Sequence, residues 1–208
     1  MLRPDAGEER IRVLRPDAPA YFDLFTTFFR SGRVPVYTVH TEPKTTICPG
    51  CGLELPDRHL DPPDRFNASG ECWQLFSDLS CYTVSKRDAE FIHQYAVDTY
   101  EAQHAGGKTR NITVVFGLIG LYLALEKGDT GKQVQLAHMR IAQVRKDWPR
   151  LEPPARPTSL TVMDVLKAPD GPEKDAMIHR WMAAVWENWA DRQVWVRETT
   201  DALRCRGA

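Results

Sequence analysis

The sequence predicts an all-α fold: a five- to six-helix bundle with an irregular N-terminal arm and a cysteine-bearing loop laid over the helices. Two observations lead there. From Ser69 onward apolar residues recur every three or four positions, the spacing that lines one face of a helix. Glycine and proline clusters then cut this stretch into pieces of helical length.

Taken in order, residues 1 to about 17 are polar and punctuated by proline, as expected of an arm. Tyr21 to Arg30 (YFDLFTTFFR) reads as a short helix ending near Ser31-Gly32, and Val34 to His40 (VPVYTVH) as the one extended piece. Trp73, Phe76 and Leu79 mark the next helix, with Asn67 or Ser69 as its cap. A break near Ser85-Lys86 precedes a helix from Asp88 to His104, closed by Ala105-Gly106-Gly107. The apolar run Ile112 to Leu125 predicts a buried helix over 111–126. Val134, Ala137, Ile141 and Val144 predict an amphipathic one over about 131–147. Pro149, Pro153, Pro154 and Pro157 force an extended connection. Thr161 to Leu166 reads as one helical turn. A final helix over about 172–203 carries Ile178, Trp181, Val185 and Trp189.

At 208 residues the chain suits one domain with an appendage: an arm over 1–46 and a helical domain over 47–208. A formal net charge of -1 gives a polyanion no purchase, so nucleic acid is not expected as a partner. Met1 to Arg15 has no apolar leader, and Ile112 to Leu125 falls short of the ~20 residues a membrane span needs, so neither export nor membrane insertion is expected. Five cysteines without a secretory leader point to cytoplasmic thiols and metal rather than disulfides.

Cys48-Pro49-Gly50-Cys51, followed by Gly52, is a two-thiolate knuckle of the kind that grips Zn2+. The chain has no second C-x-x-C, so the remaining ligands come from Cys72, Cys81 and the histidines. Cys72 sits in the first turn of its helix, where the dipole favours a thiolate. If helices 70–83 and 88–104 form an antiparallel hairpin folding near residue 85 or 86, position 72 lies opposite roughly position 99. His104 then lies about one and a half turns further, and His93 lies opposite Asp78. Cys81 falls on the far face of the first helix. The expected metal ligands are therefore Cys48, Cys51, Cys72 and His104. Three thiolates and an imidazole would close the shell of a structural ion. A catalytic ion would instead keep water in the fourth place, with His104 as proton donor.

Glu90-x-x-His93 and Glu101-x-x-His104 imitate the carboxylate–histidine pairs of di-iron bundles. Both lie on one helix about 16 Å apart, so they cannot share a centre. Asp98 and Tyr100, near the knuckle, are the candidates for acid–base work. Gly106-Gly107-Lys108-Thr109 imitates a phosphate loop, but Ala102 stands where that pattern wants glycine and a helix precedes it. The tryptophans at 181, 186, 189 and 195 read as core, His138 and His179 as ordinary partly exposed residues, and Cys205 as incidental.

The blocks Cys48-Pro49-Gly50-Cys51-Gly52, Ser69-Gly70-Glu71-Cys72-Trp73 and Val97-Asp98-Thr99-Tyr100-Glu101-Ala102-Gln103-His104 resemble a bacterial zinc-knuckle helical family of unknown function over residues 47 to 200. That resemblance implies that Asp98, Tyr100, Gln103 and His104 share one site with the cysteines, and it implies no reaction. Two functions compete. One is a small-molecule metal-dependent enzyme working by proton transfer, elimination or hydrolysis, with Asp98, Tyr100 and Gln103 as catalytic residues. The other is a binding or assembly module with a purely structural zinc.

Overall fold

The computed structural model describes residues 44–206. The helix expected over Tyr21 to Arg30 and the extended Val34 to His40 lie outside them. Within the described residues a short antiparallel hairpin, β1 (Thr45–Ile47) and β2 (Glu54–Pro56), pairs Ile47 with Glu54 and Thr45 with Pro56. Seven helices follow: α1 (Gly70–Ser85), α2 (Ile92–Gln103), α3 (Asn111–Glu126), α4 (Gly131–Val144), α5 (Val162–Lys167), α6 (Pro172–Asn188) and α7 (Gln193–Arg206). The all-α expectation therefore holds, with seven helices among the described residues in place of five or six.

Local chemistry explains most of the starts and stops. Ser69 caps α1, its Oγ accepting from the Cys72 amide at 3.2 Å. Thr130 and Gln133 form a reciprocal capping box at α4, as do Thr161 and Asp164 at α5. α2 starts at Ile92, later than the expected Asp88, because Arg87 and Phe91 turn left-handed (φ 48° and 61°) and spend those residues on the connection. α4 stops at Val144, where Arg145 becomes extended. The expected single helix over 172–203 is broken after Asn188 by a 3-10 turn, Ala190–Arg192. No proline or glycine marks that break. Trp189 is buried and hydrogen-bonds Ala102 O through its indole N–H at 3.3 Å, so burial of one side chain redirects the chain.

α3 is the axis of the fold. Leu118, Ile119, Leu121 and Leu123 lie on different sides of it and all are fully buried. It packs on α2, α4, α6 and α7. Truncating one such leucine to alanine is expected to cost about 2–5 kcal/mol. Gly117 lets α2 approach closely: a Cβ there would stand 2.6 Å from the Asp98 carbonyl oxygen. Trp181, Trp186 and Trp189 bury themselves in the same core. Among the described residues no helix is long and apolar enough to cross a membrane.

Candidate metal centre

The knuckle hangs on the tip of the β1–β2 hairpin. The Cys48 amide donates to Leu53 O and the Gly52 amide to Cys48 O, both at 2.9 Å. Gly52 takes φ +75°, the left-handed conformation that closes the turn without a Cβ clash. Gly50 presses directly on α2's end: a Cβ there would fall 2.6 Å from His104 Cδ2 and 2.3 Å from Asn67 O. Asn67, one of the two proposed caps, instead ties the pieces together. Its side-chain amide donates to Ala105 O at 3.2 Å and Pro49 O at 3.4 Å, while its backbone N–H donates to Thr109 Oγ1 at 2.8 Å. Thr109 in turn donates to His104 O at 2.7 Å, so the false phosphate loop is a brace for the metal site.

The α1–α2 hairpin brings Cys72 and His104 together more directly than expected. Cys72 Sγ lies 3.4 Å from His104 Nε2, while His93 meets Thr83 Oγ1 at 2.8 Å rather than Asp78. Both pairs share one register, set by the longer connection through Arg87 to Phe91. A fold at residue 85 or 86 would have put Cys72 opposite position 99. Asp78 hydrogen-bonds Gln74 instead.

Donor atoms of Cys48, Cys51, Cys72 and His104 all lie within 4.8 Å of one another. Their residues are 1%, 3%, 0% and 0% exposed. Cys51 Sγ and Cys72 Sγ are 3.8 Å apart, which matches the ~3.8 Å edge of a tetrahedron with ~2.3 Å metal–sulfur bonds. The imidazole is aimed for ligation. His104 Nδ1 lies 2.9 Å from Tyr100 O, so its hydrogen goes to that carbonyl and the Nε2 lone pair faces the sulfurs. Cys81 and Cys205 are exposed and outside the cluster.

Three thiols at this spacing suppress one another's ionisation. Hydrogen bonds from Cys51 and Cys72 hold the Cys48 thiol far below its usual range. Cys51 is pushed up to about 12, chiefly by its bond to that Cys48 sulfur, and Cys72 far higher by its bonds to both partners and by burial. Without a cation the three buried sulfurs cannot all ionise together. A divalent cation with affinity for sulfur would hold all three as thiolates, so the donor set fits a metal ion.

Tyr100 belongs to this centre, and its two neighbours in the motif do not. Its ring stacks on Phe76 and His104, and its O–H donates to Cys72 Sγ at 3.8 Å. Burial and then the Cys72 sulfur raise the phenol's pKa, so it stays a donor. Asp98 is two residues away, and residues two apart on a helix do not share a face. Its carboxyl accepts from Gln94 Nε2 at 2.9 Å, lies 3.9 Å from His138 Nδ1, and fills the notch left by Gly120 on α3. Burial raises its pKa strongly. His138, expected to be ordinary and partly exposed, has a largely buried side chain whose pKa burial lowers to about 4. Gln103 accepts from Trp181 Nε1 at 3.0 Å and donates to Leu160 O at 2.8 Å and to Thr158 Oγ1, pinning the proline segment to α6. The expected single site of Asp98, Tyr100 and Gln103 is thus three separate environments.

A cavity of about 350 Å³ lies outside the knuckle, between Pro49 and Gly50, residues 153–158, and the end of α6. Cys48 is the one metal donor among its lining residues. The proline segment read from sequence as a mere connection. Nothing in its composition signals a cavity wall, because the opposite wall is more than 100 residues away in the chain.

Fold and site together define a helical protein with a buried Cys3His cluster that could hold a metal ion. The chain belongs to a family of unknown function, DUF5946, which matches residues 46–190. No curated protein and no solved structure matches the chain.

Proposed function

We propose that this chain is a zinc-stabilised binding module in which the metal is structural. The reading rests on one observation above all: four protein donors, each at most 3% exposed, lie within 4.8 Å of one another, enough to fill a tetrahedral shell. Three thiolates and an imidazole select zinc over harder cations, and a shell filled by protein leaves no position for substrate. Cys48, Cys51, Cys72 and His104 would hold the ion, which clamps the β-hairpin and residues 57–69 to the first turn of α1. Apart from the metal, that strip is tied down by Asn67 and by contacts near the start of α1. Glu71 accepts from the Arg58 and Leu60 amides at 3.1 and 3.2 Å, and Phe66 packs on Trp73 and Tyr100. The clamped knuckle then forms one wall of the cavity. A reducing cytoplasm would keep the thiols available for the metal.

The enzyme reading loses support because Asp98, Tyr100 and Gln103 do not converge on a shared substrate position. Elemental analysis of chelator-free protein tests the structural reading, with about one zinc per chain expected. His104→Ala provides the second arm. It should release zinc and destabilise the fold together, as a cysteine mutant does. A variant that keeps full zinc and full stability would move His104 out of the shell and restore the enzyme reading.

A further inference from the structure

We propose that the cavity beside the knuckle binds a small organic anion, a carboxylate with an apolar body. This rests on the preceding reading in one respect, that the metal holds the knuckle as the cavity's wall. The volume of about 350 Å³ lies within the range of small-molecule sites, and its walls combine apolar surface with the polar side chains of Asn67, Gln103, Arg156, Thr158 and Asn188. Pro49, Pro154, Pro157, Val185 and Trp189 supply the apolar surface.

Charge indicates the ligand's class. Arg156 is the one basic residue among those lining the cavity, and no aspartate or glutamate is among them. Its guanidinium joins none of the ion pairs among the described residues. Its backbone is held, since Asn188 Nδ2 donates to Arg156 O at 2.9 Å. An exposed guanidinium on an anchored backbone, in no ion pair among the described residues, is suited to bidentate recognition of a carboxylate. The groove between α4 and α7 differs in carrying a carboxylate: Asp129 lines it beside Arg140 and holds Arg204 at 3.0 Å.

The same charges orient the ligand. Three thiolates, a neutral imidazole and a divalent cation leave one net negative charge behind the knuckle. The carboxylate therefore belongs with Arg156, and the apolar body with Cys48, Val185 and Trp189.

Titration calorimetry of zinc-replete protein with phenylacetate, phenylacetamide and benzylamine tests the proposal. Phenylacetate should bind, with the uncharged amide weaker and the amine weaker still. Arg156→Ala should cost roughly 10- to 100-fold in phenylacetate affinity, the range for a charge-assisted pair. Ala155→Trp, an exposed position on the cavity wall, should block binding. Both variants should keep their zinc and melting temperature. Equal binding of the amide, unchanged affinity in Arg156→Ala, or no phenylacetate binding at millimolar concentration would each overturn the anion assignment. Zinc content and zinc-dependent stability, measured on the same samples, report separately on the structural-metal reading.

Discussion

Substituting Gly50 with alanine tests how closely the knuckle must sit on His104. The added Cβ would stand 2.3 Å from Asn67 O, 2.6 Å from His104 Cδ2 and 3.0 Å from His104 Cα. Ordinary contacts of this kind begin near 3.5 Å, so the turn must retreat by roughly 1 Å. Two of the three obstacles are backbone atoms of braced residues and cannot swing aside. Overpacking of this sort costs about 1–3 kcal/mol. A retreat of that size also exceeds the ~0.2 Å tolerance of a metal–ligand bond, so the imidazole should part from the sulfurs. Zinc affinity, measured by competition with a chromophoric chelator, should fall roughly 10- to 100-fold, since the same strain is felt in the holo state. The melting temperature should drop by roughly 2–12 °C, at 2–4 °C per kcal/mol for a chain of this size. Gly128→Ala is the control. Its φ of +71° makes alanine unfavourable there by about 1–2 kcal/mol, but nothing lies within 4 Å and metal affinity should not change. If Gly50→Ala melts and binds zinc as the parent does, the knuckle does not pack on His104 and the centre described above is wrong.

Other outcomes follow from the same contacts. Cys51→Ser should lose several kcal/mol of stability, because metal binding energy is folding energy for the strip it clamps; an unchanged melting temperature would refute this. Tyr100→Phe keeps the stack on Phe76 and His104 but removes the donor to Cys72 Sγ. It should stay folded with zinc affinity reduced tenfold or less, as chelator competition would show. Glu101 is raised to about 7 by burial from its ordinary value of 4.5. Its folded form therefore holds the proton that the unfolded form releases between those values, and stability falls as pH rises from about 4.5 through 7. Glu101→Gln should match the parent near pH 4.5 and exceed it at pH 8, by at most about 3 kcal/mol. Equal urea midpoints at pH 8 would rule that out.

The contrast between Cys72 and Asp98 explains how far a one-dimensional reading reaches. Cys72 was legible because its cue is local: a cap at Ser69, a first-turn position and a knuckle in need of thiols. Asp98 was misplaced because four polar residues in one motif look like one site on the page. On a helix Asp98 and Tyr100 point apart, and the Gly120 notch on α3 receives the carboxyl. His104 was legible as a neighbour of the metal, but the direction of its ring depended on the Tyr100 carbonyl one turn earlier. The β1–β2 hairpin was not anticipated, since three-residue strands carry too short a pattern to read.

By itself the sequence determined most of the helical segmentation from Ser69 onward, the apolar axis over 111–126 and the candidate donors Cys48, Cys51, Cys72 and His104. Those features follow from periodicity, capping and side-chain chemistry, which act over a few residues. Tertiary structure decided the register that sets Cys72 against His104, the break at Trp189, the dispersal of Asp98, Tyr100 and Gln103, and the cavity beside Arg156. Each of these depends on which face of one helix meets another. A five-residue shift in the register of α1 against α2, or one tryptophan buried against Ala102, is enough to change that.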